Sequence, residues 1–177
     1  MGFLKCFLYL SAAGALSFVL GRLLPKSWFN SEAFPYKSFT FEKEGRLYNK
    51  LNIKSWQNKL PDMSRVLPRT MPEKRVGLSA DSAKLRVMLE ETCVAEFIHV
   101  LLIAASFFCF RLWEGAGGAA VFAVYNLLGN LPFILMQRYN RPRLQKALRR
   151  CTQERGEKGE TVTDAGFSFK LQHGRGA

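Results

Sequence analysis

Two groups of residues in this chain have the types and spacing to do chemistry. Glu96 and His99 lie three apart, so on a helix they share a face. A carboxylate near an imidazole is the arrangement that takes up and stabilises a proton in general-base chemistry. Further along, the run Gln137-Arg138-Tyr139-Asn140-Arg141-Pro142-Arg143-Leu144 sets three arginines and an asparagine directly after an apolar stretch. Guanidinium forks hold phosphate bidentately. The same cations would also serve as a positive-inside anchor beside a membrane helix. Tyr139, Asn140 and Pro142 are not needed for anchoring, which keeps a binding role in view.

Both groups need hydrophobic elements to position them. Three apolar runs reach the roughly 20 residues that cross a bilayer: Phe3 to Leu24, Val94 to Trp113 and Ala116 to Gln137. The first ends at Arg22 to Leu24, where Pro25 stops a helix. It reads as an uncleaved signal anchor, because the apolar run continues past the small residues Ala12, Ala13 and Ala15. The fold class expected is therefore an all-α integral membrane protein. It has about three transmembrane helices, an interfacial amphipathic helix and a cytoplasmic loop. The chain divides as one membrane domain over 1–177: spans at 3–24, 94–113 and 116–137, a loop over 25–93, and a basic tail over 138–177, disordered after about 154.

Charge sets the orientation. Net charge is +12, with 26 Lys+Arg, while 48% of residues are hydrophobic. Basic and apolar residues are segregated, which points to a membrane rather than to nucleic acid. Fourteen of the cations fall between Arg22 and Glu91 and ten after Gln137, against Arg111 in the turn between spans two and three. The positive-inside rule then places a multi-pass protein in the cell membrane with its large loop and C-terminus cytoplasmic.

Between the spans, Phe34 to Arg46 begins with a rough alternation of aromatic and polar residues that suits an extended segment, with a turn at Gly45. Leu47 to Leu60 mixes Tyr48, Leu51, Ile53 and Trp56 with lysines, the pattern of an interfacial helix or of a soluble surface helix. Met63 to Gly77 reads as a loop. Ser79 or Asp81 can cap a helix that runs from Ser82 into span two without a breaker.

Ionisable groups inside a span are costly and are functional candidates. With the bilayer starting near Val94, His99 lies about 7 Å deep, and Asn130, counted back from Gln137, about 10 Å deep. Spans two and three are antiparallel neighbours, so His99 and Asn130 can meet. Asn126 and Asn130 share a face, and interhelical polar packing would explain them as well. Pro132 removes a hydrogen bond to the carbonyl of Leu128, and Gly129 allows a close approach. The Glu-x-x-His spacing also occurs in carboxylate-bridged metal sites, which need two copies; this chain has one, so no metal is expected. Four cysteines without CxxC spacing give no zinc site and no disulfide framework.

In these residues the chain resembles the glycosyl-4,4'-diaponeurosporenoate acyltransferases, small membrane enzymes of the last step of staphyloxanthin biosynthesis. Three blocks carry the resemblance: Tyr36 to Phe39 through Phe41-Glu42-Lys43 and Gly45, with Tyr48-Asn49-Lys50, Trp56, Lys59 and Asp62; Glu91-Thr92, Ala95-Glu96 and Ile98-His99; and Asn130, Pro132 and Gln137 to Leu144. It implies transfer of a long fatty acyl group onto a sugar hydroxyl of a membrane glycolipid or glycosylated carotenoid. The proline-bearing loop from Met63 to Gly77 departs from the pigment enzyme, which leaves the acceptor open.

A membrane O-acyltransferase would use these residues as follows. His99 is the general base, Glu96 orients it, and Asn130 donates to the developing oxyanion. Asp62 is a second base or a hydroxyl binder. Arg138, Arg141 and Arg143, with Tyr139 and Asn140, bind the phosphates of the donor or the acceptor headgroup, and Trp56 stacks on the sugar. No serine or cysteine has a nucleophile's setting, so attack is direct. The donor is an acyl-thioester, acyl-CoA or acyl carrier protein, and no cofactor is needed. The partners are membrane lipid, the acyl donor and a lipid-linked sugar acceptor; a homodimer could complete a lipid cavity in so small a bundle. Two other classes fit the same features: a non-enzymatic lipid-binding or assembly subunit, and an intramembrane transferase of a different group.

Overall fold

The structure, a computed structural model, describes residues 1–42, 46–57 and 82–173, with side chains described up to 153. Lys43, Gly45, Lys59, Asp62, the loop from Met63 to Gly77 and the capping pair Ser79 and Asp81 lie outside the described residues.

Helix α1 spans Gly2–Leu23. Leu24 leaves it with extended backbone (φ −63°, ψ 128°), as the residue before a proline must. A short α2 turn covers Ile53–Trp56. Helix α3 runs Ser82–Ser106 without interruption and, through a turn at 107–108, into α4, Cys109–Leu112. Gly115 reverses the chain at φ +81°, a conformation suited to a residue without Cβ. Helix α5, Ala116–Val124, then enters a π-helical turn over Tyr125–Asn130, and α6 follows as Leu131–His173. Three stretches are long and apolar enough to cross a membrane: Gly2–Leu23, Ser82–Leu112 and Ala116–Gln153. The protein is an all-helical membrane protein.

The core is distributed along the bundle. At the turn end, Cys6 and Leu10 of α1 pack on Cys109, with Trp113, Val121 and Tyr125 around them. Gly118 is buried there because a Cβ would stand 2.1 Å from the carbonyl oxygen of Trp113. Midway along α3, Cys93 and Val94 pack with Phe29 and Ile98. At the opposite end of the bundle, Leu85, Met88 and Leu89 of α3 close on Leu144, Ala147 and Leu148 of α6. Antiparallel α3 and α6 form the backbone of the bundle.

Three local expectations change. The alternation over 34–46 makes no strand among its described residues: Thr40–Glu42 is a 3-10 turn, because Glu42 folds back so that its carboxylate accepts the Phe39 N–H at 2.8 Å. The single helix expected from Leu47 is divided into a 3-10 turn, Leu47–Asn49, and α2, with Asn52 between them at φ +47°. Gly129 serves no close approach, since a Cβ there would meet only the Tyr125 ring, at 4.0 Å. Helix α6 is continuous to His173. After Pro142 the chain has no further proline to stop it.

Candidate active site

Pro132 shapes the backbone that the site is built on. Lacking an N–H, it cannot bond the carbonyl of Leu128, and the chain widens just before it. The Leu131 N–H reaches back five residues to the carbonyl of Asn126, which defines the π turn. Within that turn Asn126 and Asn130 are both buried and face α3.

Their amides form a directed chain. Asn126 Nδ2 donates to Ser106 Oγ and to the Phe122 carbonyl, both at 2.9 Å. Its Oδ1 therefore accepts, taking a bond from Asn130 Nδ2 at 3.1 Å. Asn130 Nδ2 also points at the Tyr125 carbonyl, 3.4 Å away. That leaves Asn130 Oδ1 as the acceptor facing His99 Nδ1 at 3.0 Å. The direction of the chain assigns the proton: Nδ1 carries it and Nε2 holds the basic lone pair. The half-buried imidazole is stacked on Phe133, with ring centroids 4.8 Å apart and planes 9° from parallel. Both donors of Asn130 are directed away from the imidazole, so the residue orients the ring rather than offering an oxyanion donor.

One helical turn away, Glu96 is buried and faces two arginines of α6. Its Oε1 accepts from Arg138 Nε at 2.8 Å and its Oε2 from Arg141 Nη2 at 2.6 Å. Arg141 is 2% exposed, and its fork is spent on protein: Nε on Thr92 Oγ1 at 3.0 Å and Nη1 on the Tyr36 carbonyl at 2.8 Å. Arg138 also donates to Glu42 Oε1 at 2.8 Å and to the Pro35 carbonyl at 2.9 Å, with Phe39 beneath its guanidinium. Glu42 accepts in turn from the Tyr48 hydroxyl. Burial would raise the Glu42 carboxyl, but the bonds from Tyr48, Arg138 and Phe39 outweigh it and hold its pKa below the ordinary carboxylate value. Burial and the neighbouring carboxylate push the Tyr48 phenol upward, so it remains a donor.

The arginine run thus divides. Arg138 and Arg141 fasten the 34–57 segment and α3 to α6. Arg143 is exposed, lies over the Tyr139 ring 3.5 Å from its centroid and donates to Asn49 Oδ1 at 3.0 Å. Tyr139 is buried with Tyr48 and Ile53, and Trp56 packs against that cluster with its indole N–H on the Leu51 carbonyl at 2.9 Å. Asn140 is half-buried on α6. Asp62 is outside the described residues. Sequence reasoning overlooked Glu42, Thr92 and Tyr48 as parts of the cluster. The one available signal was that a +12 chain with two adjacent interior arginines needs buried acceptors.

A helical membrane protein with a fixed imidazole between two spans, backed by a carboxylate–arginine cluster, has the parts of an intramembrane transferase. The sequence profile described as glycosyl-4,4'-diaponeurosporenoate acyltransferase matches residues 25–150. Curated relatives of that name come from Staphylococcus aureus. The strain bovine RF122/ET3-1 protein is 33% identical over 140 residues, covering 78% of this chain and 82% of its own length. The MRSA252 and N315 proteins are 32% and 31% identical over the same shares. The chain belongs to this acyltransferase family and is an enzyme of that class. No solved structure matches it.

Proposed function

We propose that this protein moves a fatty acyl group from an acyl-thioester, carried by coenzyme A or acyl carrier protein, to a sugar hydroxyl of a membrane glycolipid or glycosylated carotenoid. The relatives' shared name supports acyl transfer to a glycosylated acceptor. The observation that carries the mechanism is the His99–Asn130 contact, which sets the imidazole in the tautomer a general base requires.

The acceptor hydroxyl gives its proton to His99 Nε2 as its oxygen attacks the thioester carbonyl. The C–S bond then breaks, the ester C–O bond remains, and the imidazolium returns the proton to the departing thiolate. A positioned base of this kind contributes about 10²–10⁴-fold in rate. Asn130 is the positioning residue for the ring. Glu96 holds the arginine pair about one helical turn from the imidazole. Arg143 and Asn140, outside the buried clamp, are the groups offered to donor phosphate or acceptor headgroup. The large loop and C-terminus are cytoplasmic, where thioester donors are found, and catalysis needs no metal.

The test is acyl transfer from a radiolabelled donor in membranes carrying wild type, His99→Gln or His99→Ala, with lipid products weighed by mass spectrometry. An added fatty acyl mass that disappears in both variants is expected. Transfer retained at near-normal rate would remove the base, and an isoprenoid or one-carbon increment would remove the acyl chemistry.

A further inference from the structure

The amide chain behind His99 continues past Asn130 to two residues that do not reach the imidazole. Asn126 lies in the π turn and Ser106 at the end of α3, and both are buried. Ser106 stands seven residues beyond His99, about 10 Å further along the helix. It lies inside a stretch long and apolar enough to cross the membrane. At membrane depth no water replaces a lost partner, so polar groups must be satisfied by protein. Among the described residues, no buried side-chain nitrogen or oxygen lacks a partner.

A side-chain amide is nearly symmetrical in shape but offers donors at one end and an acceptor at the other. Backbone carbonyls, which can only accept, decide the order here. The Ile103 carbonyl takes the Ser106 hydroxyl proton at 2.7 Å, which leaves the Ser106 oxygen to accept from Asn126. The Phe122 carbonyl, 2.9 Å from Asn126 Nδ2, selects the same end of that amide. Both leave Asn126 Oδ1 pointing at Asn130. That oxygen, at 3.1 Å, is the nearer of two acceptors for Asn130 Nδ2, the Tyr125 carbonyl being at 3.4 Å. Asn126 thus keeps the Asn130 oxygen, rather than its nitrogen, against His99 Nδ1. With Asn130 turned over, its N–H would call for a lone pair on Nδ1. The ring proton would then sit on Nε2, the nitrogen that must take the proton of the acceptor hydroxyl.

We propose that Asn126 and Ser106 are positioning residues for acyl transfer: they hold the Asn130 amide in one orientation and so keep the His99 proton on Nδ1. The effect on transfer rests on the general-base reading of His99, whereas the effect on the tautomer does not. Asn126 carries the larger share, because it bonds Asn130 directly. Ser106 carries less, since the Phe122 carbonyl still orders Asn126 without it.

The experiment uses the full chain in nanodiscs with nitrogen-15-labelled histidine. His173→Gln is the background, which leaves His99 as the single histidine. Spectra are taken at about pH 8, above the ordinary histidine value of about 6.5, so that the neutral ring is observed. The background is expected to show the Nδ1–H form. Asn126→Leu should raise the Nε2–H form and lower transfer about 10–100-fold, the loss typical when the partner that orients a metal-bound imidazole is removed. Ser106→Ala should move both in the same direction by less, and Ser106→Thr, which keeps the hydroxyl, should restore them. A folded Asn126→Leu variant with the background's tautomer ratio overturns the proposal, whatever its rate. Where Asn126→Leu does not fold, the Ser106 pair decides: an alanine spectrum equal to the background's overturns it, and a shift reversed by threonine supports it. A shifted tautomer with undiminished transfer would keep the amide ordering and remove the general base. An unshifted tautomer in Asn126→Leu, with transfer lost in His99→Gln, would do the reverse.

Discussion

Arg141 Nη2 sits 2.6 Å from Glu96 Oε2, with both side chains withdrawn from solvent, and this pair locks α6 against α3. A buried guanidinium with all three nitrogens engaged is a fastening, and removing either partner strands a charge in a low-dielectric interior.

Arg141→Ala is therefore expected to destabilise the folded protein by about 3–5 kcal/mol. Arg141→Lys should recover little, because an ammonium cannot reach Thr92, Tyr36 and Glu96 together. Thermal unfolding in detergent micelles reads both. An unchanged transition in Arg141→Ala would mean that the cluster is not structural.

His99→Gln should leave that transition in place while transfer falls about 10²–10⁴-fold. Asn130→Asp keeps an acceptor for Nδ1–H and should retain more activity than Asn130→Leu. Nitrogen-15 spectra of labelled histidine should show the proton on Nδ1 in wild type. A signal for the Nε2–H tautomer would contradict the amide chain.

Acid should loosen the 34–57 segment. The Glu42 carboxyl has a lowered folded pKa, so its stabilisation is complete above the ordinary carboxylate value of about 4.3 and fades as pH falls through the folded one. Protease cleavage within 34–57 should rise across that acidic window in wild type. In Glu42→Gln cleavage should already be fast at neutral pH and vary less with acid.

The tight turn predicts a contrast between glycines. Gly115→Ala places a Cβ at φ +81°, a strain of about 1–3 kcal/mol. Gly118→Ala drives one into the Trp113 and Cys109 carbonyls. Gly14→Ala meets open space and should be silent. Melting temperatures of the three variants rank them; equal values would show that the turn yields.

The spans were legible because length and hydropathy alone define them, and the approach of His99 to Asn130 followed from counting depth down two antiparallel helices. What the arginines do was not legible. Composition shows that Arg138 and Arg141 are cationic, but only the folded chain brings Glu42 and Glu96 to them, from segments far apart in sequence. Asn52 divided the amphipathic stretch after Leu47 because a left-handed residue interrupts the helical period, and asparagine tolerates that conformation without announcing it. The role of Asn130 was misassigned for a related reason: a side-chain amide has two ends, and its neighbours decide which end faces the imidazole.

The swollen turn at Tyr125–Asn130 holds one more residue than an ordinary helical turn, so it works as an indexing joint between the two halves of the third membrane-crossing rod. A chain shortened by one residue there would retain its apolar lengths, its charges and its aromatic packing. Its distal half would nonetheless be swung about 100° around the rod's axis, carrying the guanidinium pair out of reach of Glu96.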